Sequence, residues 1–152
     1  MGLPGSGKTT LAKELVKVLP SVHFNADRVR QTMNVDLSFS MNDRLEHARR
    51  MGWMCQYVSD SGYTAIADFV CPTEETRAAF NPDFIIWMNT TSSSRYADTN
   101  AIFVPPRNAD LVIKDFLYDV KQIKSSLLKC SKRVQLNSIL INLESLISKE
   151  FN

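Results

Sequence analysis

The eight residues Gly2-Leu3-Pro4-Gly5-Ser6-Gly7-Lys8-Thr9 constrain this chain more than any other stretch. They fit the pattern G-x-x-x-x-G-K-[ST] and run straight into the apolar spacing of a helix, Leu11, Leu15 and Val18, that Pro20 stops. Glycines reach backbone angles closed to other residues, so the chain can wrap tightly around phosphate oxygens. The N–H groups of Gly5, Ser6, Gly7 and Lys8 are expected to point inward, and the N-terminus of the helix adds its dipole. The Lys8 ammonium would then reach the β- and γ-phosphates, and the Thr9 hydroxyl a Mg2+ ion. Gly2, Gly5, Ser6, Gly7, Lys8, Thr9 and Thr10 are the expected nucleotide-binding residues, with Lys8 also catalytic. A Gly-rich turn before an amphipathic helix is the plainer alternative, but the complete pattern sits directly on a helix start. The motif points to ATP or a similar nucleoside triphosphate and leaves the acceptor unnamed.

The composition narrows the class. The chain has 152 residues, 44% of them hydrophobic and 22% charged, enough for one domain whose buried apolar surface offsets the entropy of folding. Eighteen basic against sixteen acidic residues give a net charge of +2, too balanced to announce a nucleic-acid binder. Cys55, Cys71 and Cys130 are odd in number and widely spaced, which fits neither a disulfide framework nor a zinc site and suggests a reducing, cytoplasmic setting. No apolar run approaches the roughly 18–20 residues of a membrane span, and the first residues do not read as a signal peptide.

The spacing of apolar residues and capping residues predicts a short strand over Val22–Phe24 and a short helix over Asp27–Met33. Ser40 should open a long helix as N-cap, with Asp43 as capping-box partner and Met41, Leu45, Ala48, Met51, Cys55 and Val58 as its buried stripe. Gly62 should end that helix. A buried strand is expected over Tyr63–Phe69, a helix start at Thr73, strands at Phe84–Met88 and Leu111–Ile113, and a helix from Asp115 to about Leu128. The polar run Asn89–Asn100 reads as irregular. Strands alternating with helices imply an α/β fold, a three-layer α/β/α arrangement around a mainly parallel sheet. No strand precedes the first helix, although phosphate loops normally hang from a buried strand. The expectation is a lost N-terminal segment of a few residues and a sheet lacking its first strand. Residues 1–130 would form the phosphate-loop domain. Residues 131–152, with Leu136, Ile139, Leu140, Leu143, Leu146 and Ile147 at helical spacing, would pack on it as an amphipathic helix or serve a dimer contact.

The stretch Phe24-Asn25-Ala26-Asp27-Arg28-Val29-Arg30 places an acid and two arginines at a strand end. Asp27 could hold Mg2+ through water or accept a proton from an attacking hydroxyl. Arg28 or Arg30 could pair with an anionic substrate. A helix N-terminus with an acidic first turn and solvated arginines explains the same residues equally well. Asp68, an acid ending the apolar strand Ala65-Ile66-Ala67, is a candidate for a carboxylate near Mg2+.

At this point the chain resembles the adenylylsulfate kinases. Their Leu-Asp-Gly-Asp-Asn-[IV]-Arg motif corresponds to Phe24 through Arg30, with Asp27, Val29 and Arg30 kept. Their Asn-x-Asp-Leu-Gly-Phe-Ser-x-x-Asp-Arg-x-Glu-Asn-x-Arg-Arg segment lines up with Asn34, Asp36, Leu37, Ser38, Phe39, Ser40, Asp43, Arg44, Glu46, His47, Arg49 and Arg50, departing at Ser38 and His47. Their Phe-[IV]-Ser-Pro appears as Phe69-Val70-Cys71-Pro72, with Arg77 beyond it. The likeness spans about Gly2 to Thr90.

The resemblance implies transfer of the γ-phosphoryl of ATP to the 3′-hydroxyl of adenosine 5′-phosphosulfate, with Mg2+. It implies Phe39 as the ring that stacks the acceptor base, Arg30 and Arg44 as its anion contacts, and Val70 and Cys71 as main-chain contacts. It implies Asp27 as the catalytic residue that orients the 3′-hydroxyl or the metal. Metal contacts would come from Thr9, Asp27 and Asp68. On local grounds Phe39 fits a hydrophobic staple equally well, and Arg49 and Arg50 read as the solvated side of their helix. Beyond Thr90 the family's long basic lid is reduced here to Arg95, with Phe103 as a candidate second face for the base. Asn25 stands where the family has an acid, and Arg28 where it has an asparagine. These changes keep two rival readings open: another small-molecule or polynucleotide 5′-hydroxyl kinase of the same fold, or a nucleotide-binding module without catalysis. A small-molecule acceptor, no membrane and a second copy of the chain as a candidate dimer partner complete the expectations for partners.

Overall fold

A computed structural model describes residues 1–130. The chain divides into two compact units, Met1–Val120 and Lys121–Asn152. In the second unit residues 121–130 are helical, and the helix expected over 131–152 lies outside the described residues.

The first unit runs α1 (Lys8–Val18), β1 (Ser21–Asn25), α2 (Ala26–Thr32), α3 (Met41–Asp60), β2 (Thr64–Asp68), α4 (Glu74–Phe80), β3 (Ile86–Met88), α5 (Ala97–Ile102) and β4 (Leu111–Ile113). β1 pairs with β2 in parallel and β3 with β4 in parallel, as two two-stranded sheets. The α/β class with parallel strands is thus the one expected, and among the described residues no strand precedes α1. The backbone of Met1 nonetheless bridges to β3: its amino group donates to the Ile86 carbonyl at 2.7 Å, and the Met88 N–H donates to the Met1 carbonyl at 2.9 Å.

The register of β1 on β2 sets the layers. Phe24 stands opposite Ala67 and Asn25 opposite Asp68. Side chains alternate along a strand, so Phe24 and Ala67 share one face and His23, Asn25, Ile66 and Asp68 the other. The first face packs on the core of Ala26, Val29 and Met51, with Met54, Phe69 and Phe80 around it. The second face meets α1, where the Asn25 side chain reaches Thr9. Helices α3 and α1 therefore cover opposite faces, giving the three-layer order.

Local chemistry explains where the helices begin. Ser40 caps α3 by accepting from the Asp43 N–H at 3.2 Å. The Asp43 carboxylate reaches back past the cap to the Ser38 N–H, at 3.1 Å, and to the Ser38 hydroxyl. Thr73 caps α4 in a reciprocal box with Thr76, a hydroxyl doing the work of the usual Glu or Gln. The buried stripe of α3 starts later than its spacing suggested. Met41 is exposed, while His47, Ala48, Met51 and Cys55 are buried. Asn34 Nδ2 donates to His47 Nδ1 at 2.8 Å, and burial pushes the imidazole down to about 4, so it stays neutral near pH 7.

Two expectations change. Asp115 does not start a helix: its carboxylate accepts from the Leu117 N–H at 2.6 Å, a local turn, and helical residues begin at 120. The polar run contains α5, held by Asn100, whose amide oxygen accepts from Ser94 and whose amide nitrogen donates back to the Ser94 carbonyl.

Helix α3 lies against the end of α4 at Gly52. A Cβ there would sit 2.5 Å from the Phe80 carbonyl oxygen. Gly52→Ala should therefore destabilise the fold by about 1–2 kcal/mol net, the strain of overpacking exceeding the gain in helix propensity. Urea unfolding at equilibrium checks this; an alanine variant as stable as the parent would show that the helices separate freely.

Candidate active site

The phosphate loop is shaped by contacts to β3 and the segment after it. Gly2 has φ 149°, and a Cβ there would lie 2.5 Å from the Met88 carbonyl oxygen. The loop approaches β3 this closely because the residue is glycine. Ser6 is fully buried, and its carbonyl accepts from the Thr90 hydroxyl at 2.8 Å. Gly7, at φ 86°, is the N-cap of α1. No side chain caps that end, so the first amides of α1, which helix geometry leaves without an intrahelical acceptor, are available to an anion.

The Leu3 carbonyl accepts from two donors, the Ser6 N–H at 3.2 Å and Lys8 Nζ at 2.8 Å. Ser6 thus turns its N–H into the loop's own hydrogen bond rather than toward a ligand. Burial lowers the Lys8 ammonium from its usual value, and the carboxylates of Asp68 and Asp27 oppose that. Lys8 is a partly desolvated cation resting on a carbonyl, a poor match for a full charge and a ready one for a phosphate.

Opposite the loop, the ends of β1 and β2 bring Asn25 and Asp68 together. Asn25 Nδ2 donates to Asp68 Oδ1 at 2.7 Å and lies 3.5 Å from Thr9 Oγ1. The Asn25 amide oxygen meanwhile caps α2 through the Arg28 N–H at 3.0 Å. His23 Nε2 is 2.8 Å from Asp68 Oδ2. Asp68 is 5% exposed and still borders the cleft, so the carboxylate is buried, paired and placed beside the loop.

The cleft has a volume of about 1270 Å3, above the roughly 300–1,000 Å3 of a single small-ligand pocket. Pro4, Gly5, Lys8 and Thr9 line it on the loop side, with Asp27 and Asp68 near them. Arg30, Phe39, Arg44 and Val70 line it farther out, together with Arg95, Tyr96 and Asp98. Phe39 is 62% exposed. The residue at the staple position of α3 is Arg44 instead of an apolar partner, so the ring is not stapled to the helix. Its face lies 4.7 Å from the Arg30 guanidinium carbon and 5.4 Å from that of Arg44. Arg30 donates to the carbonyls of Leu37, at 3.3 Å, and Ser38, at 2.5 Å. Arg44 donates to the Phe39 carbonyl at 2.9 Å and pairs with Asp98 at 3.2 Å. Burial and then the like charge of Arg44 depress Arg30 from its usual value. Two guanidiniums held around one exposed ring form a shelf for a flat, anionic molecule.

Several expected residues fall elsewhere. Cys71 is buried at φ 48° and does not line the cleft; its carbonyl accepts from the buried Arg77 at 3.0 Å, and burial pushes its thiol up to about 11. Arg28 and Phe103 do not border the cleft either, nor do Gly2, Ser6, Gly7 and Thr10. Arg50 forms a two-pronged pair with Asp36, each contact 2.8 Å, and Arg49 pairs with Glu46, so both belong to the outer face of α3. Sequence reasoning missed His23, whose partner lies 45 residues away. It also missed Tyr96, on which Arg95 stacks at 4.9 Å.

The donors near Thr9 suit magnesium. Among the described residues no group of three or more His, Cys, Asp or Glu side chains could cage a metal. Magnesium does not need one, because it is usually held by substrate phosphates and water with one or two carboxylates. Thr9, Asp27 and Asp68 would provide that contact.

Residues 1–92 match the sequence pattern of the family described as adenylylsulphate kinase. An adenylyl-sulfate kinase of Oceanobacillus iheyensis is 40% identical over 81 residues, covering 50% of this chain and 41% of the relative. One from Clostridium kluyveri is 33% identical over 128 residues, covering 76% of this chain and 62% of the relative. The chain thus spans less than two thirds of the length of either. The fold is shared with the Mycobacterium tuberculosis APS kinase CysC, solved in complex with AMPPNP and APS. That comparison has a TM-score of 0.69 at 22% identity and covers 87% of this chain and 94% of that one. With a pattern match across more than half its length, a phosphate loop on the N-terminus of α1 and a parallel α/β frame, this chain belongs to the adenylylsulphate kinase family.

Proposed function

We propose that the protein transfers the γ-phosphoryl group of ATP to the 3′-hydroxyl of adenosine 5′-phosphosulfate, giving 3′-phosphoadenosine 5′-phosphosulfate and ADP. The observation that carries this reading is the exposed Phe39 ring beside the Arg30 and Arg44 guanidiniums, in the same cleft as Lys8 and Thr9. A purine stacks on the ring and the phosphosulfate meets Arg30 and Arg44. A family member solved with an ATP analogue and APS supports the same pairing of ligands.

The amides at the start of α1 and the Lys8 ammonium bind the β- and γ-phosphates. Lys8 leaves the Leu3 carbonyl to do so. The acceptor 3′-oxygen forms a bond to the γ-phosphorus as the bond to the β–γ bridging oxygen breaks, and ADP departs. Asp27 hydrogen-bonds the 3′-hydroxyl and takes its proton. Thr9 and Asp68 would hold a magnesium ion, directly or through water, and the ion would supply neutralisation of the phosphate charge. Arg95 stands over the cleft as the cation of a short lid. Positioning and charge supply the catalysis, with no covalent intermediate.

Lys8→Ala should fold normally and lose about 100- to 1,000-fold in kcat, the scale of removing one preorganised transition-state donor. Circular dichroism and steady-state assay check this; a folded variant within a few-fold of the parent would displace Lys8 from the chemistry. A panel of acceptors with γ-labelled ATP tests the substrate. Label should pass to adenosine 5′-phosphosulfate, and Phe39→Ala should raise its KM by about tenfold, the scale of one lost base stack. Label on a polynucleotide end or a sugar, and none on adenosine 5′-phosphosulfate, would replace this substrate with another.

A further inference from the structure

Asp68 is held by two donors, one on each oxygen. Asn25 Nδ2 serves Oδ1 at 2.7 Å and His23 Nε2 serves Oδ2 at 2.8 Å. Both donors come from alternate positions on the same face of β1, His23 standing diagonal to Asp68 and Asn25 directly opposite it. The His23 side chain is 17% exposed and that of Asp68 6%. A carboxylate can accept about four hydrogen bonds, so these two fix its plane and leave lone pairs for the cleft. Asn25 already bridges Asp68 and Thr9 and caps α2 with its oxygen. The other oxygen of the carboxylate is oriented by His23 alone among the side-chain hydrogen bonds of the described residues. Without that ring, a carboxylate held at one oxygen can rotate away from the loop.

We infer that His23 is a positioning residue of the nucleotide site. Its ring holds the Asp68 carboxylate, beside Thr9, in the orientation that receives the hydrated magnesium ion carried by ATP. The inference rests on the reading above that places Asp68 near the metal, but not on the identity of the acceptor. It gives a role to a histidine that does not itself line the cleft.

Calorimetric titration with ATP, once in magnesium and once in EDTA, tests this without any acceptor present. The parent should bind ATP more tightly with magnesium. His23→Leu should lose about tenfold or more of that gain, the scale of a lost outer-sphere contact, and should bind metal-free ATP as the parent does. His23→Gln, whose amide nitrogen donates from nearly the same place as Nε2, should keep most of the gain. His23→Asn, whose amide stops short of Asp68, replaces the leucine variant if that one does not fold, and should behave as it would. A full magnesium gain in the leucine or asparagine variant would overturn the inference. So would equal losses with and without magnesium, or a glutamine variant as impaired as the leucine one. A parent with no magnesium gain would overturn both this role and the placement of Asp68. Failure of adenosine 5′-phosphosulfate in the acceptor panel would leave all these titrations intact and so is separable from them.

Discussion

The site depends on one backbone event, the left-handed turn at Gly7 that starts α1 with its first amides uncapped. Everything else holds that turn in place or is aimed at it. Thr90 pins the Ser6 carbonyl, and the Gly2 backbone lies against Met88, so the loop is braced from the β3 side. Asn25 reaches Thr9 from the β1 side. A loop braced on both sides holds the first amides of α1 in place before an anion arrives, which is how a small domain concentrates electrostatic stabilisation.

The charges form two groups along the cleft. Near the loop, the carboxylates of Asp27 and Asp68 act on the Lys8 ammonium. Farther out, Arg30 and Arg44 surround Phe39, with Asp98 on the second of them. The first group suits a magnesium-bound triphosphate and the second a flat molecule with an anionic tail. Asn25, which the resemblance to the family lines up with an acid, is the register partner of Asp68 on β2. Its amide donates to the Asp68 carboxylate across the strands.

Much of this was legible in the residues. The loop motif, the N-caps at Ser40 and Thr73, and the strands ending at Asn25 and Asp68 are local signals, set within a few residues of chain. Phe39 reads equally as staple or stacking ring, and Arg44, an arginine at the staple position, leaves the ring unstapled and exposed. What was not legible depends on distance or on competing local bonds. The His23–Asp68 pair needs the strand register, which no spacing reveals. Helix α5 has no apolar period and forms because Asn100 ties its last turn back to Ser94. Asp115 looked like a helix cap but satisfies the Leu117 N–H in a turn of its own. His47, polar by type, takes a core position because Asn34 accompanies it into the interior.

The proposed mechanism has the uncapped start of α1 gripping the nucleotide tail, with the acceptor on the Arg30–Phe39–Arg44 shelf of the same cleft. A crystal structure with a non-hydrolysable ATP analogue and adenosine 5′-phosphosulfate bound together tests it most directly. The β- and γ-phosphates should lie on the amides that follow Gly7, with Lys8 Nζ moved from the Leu3 carbonyl onto them and the acceptor adenine on Phe39. Phosphates bound away from that turn, with Lys8 still on Leu3, would contradict it.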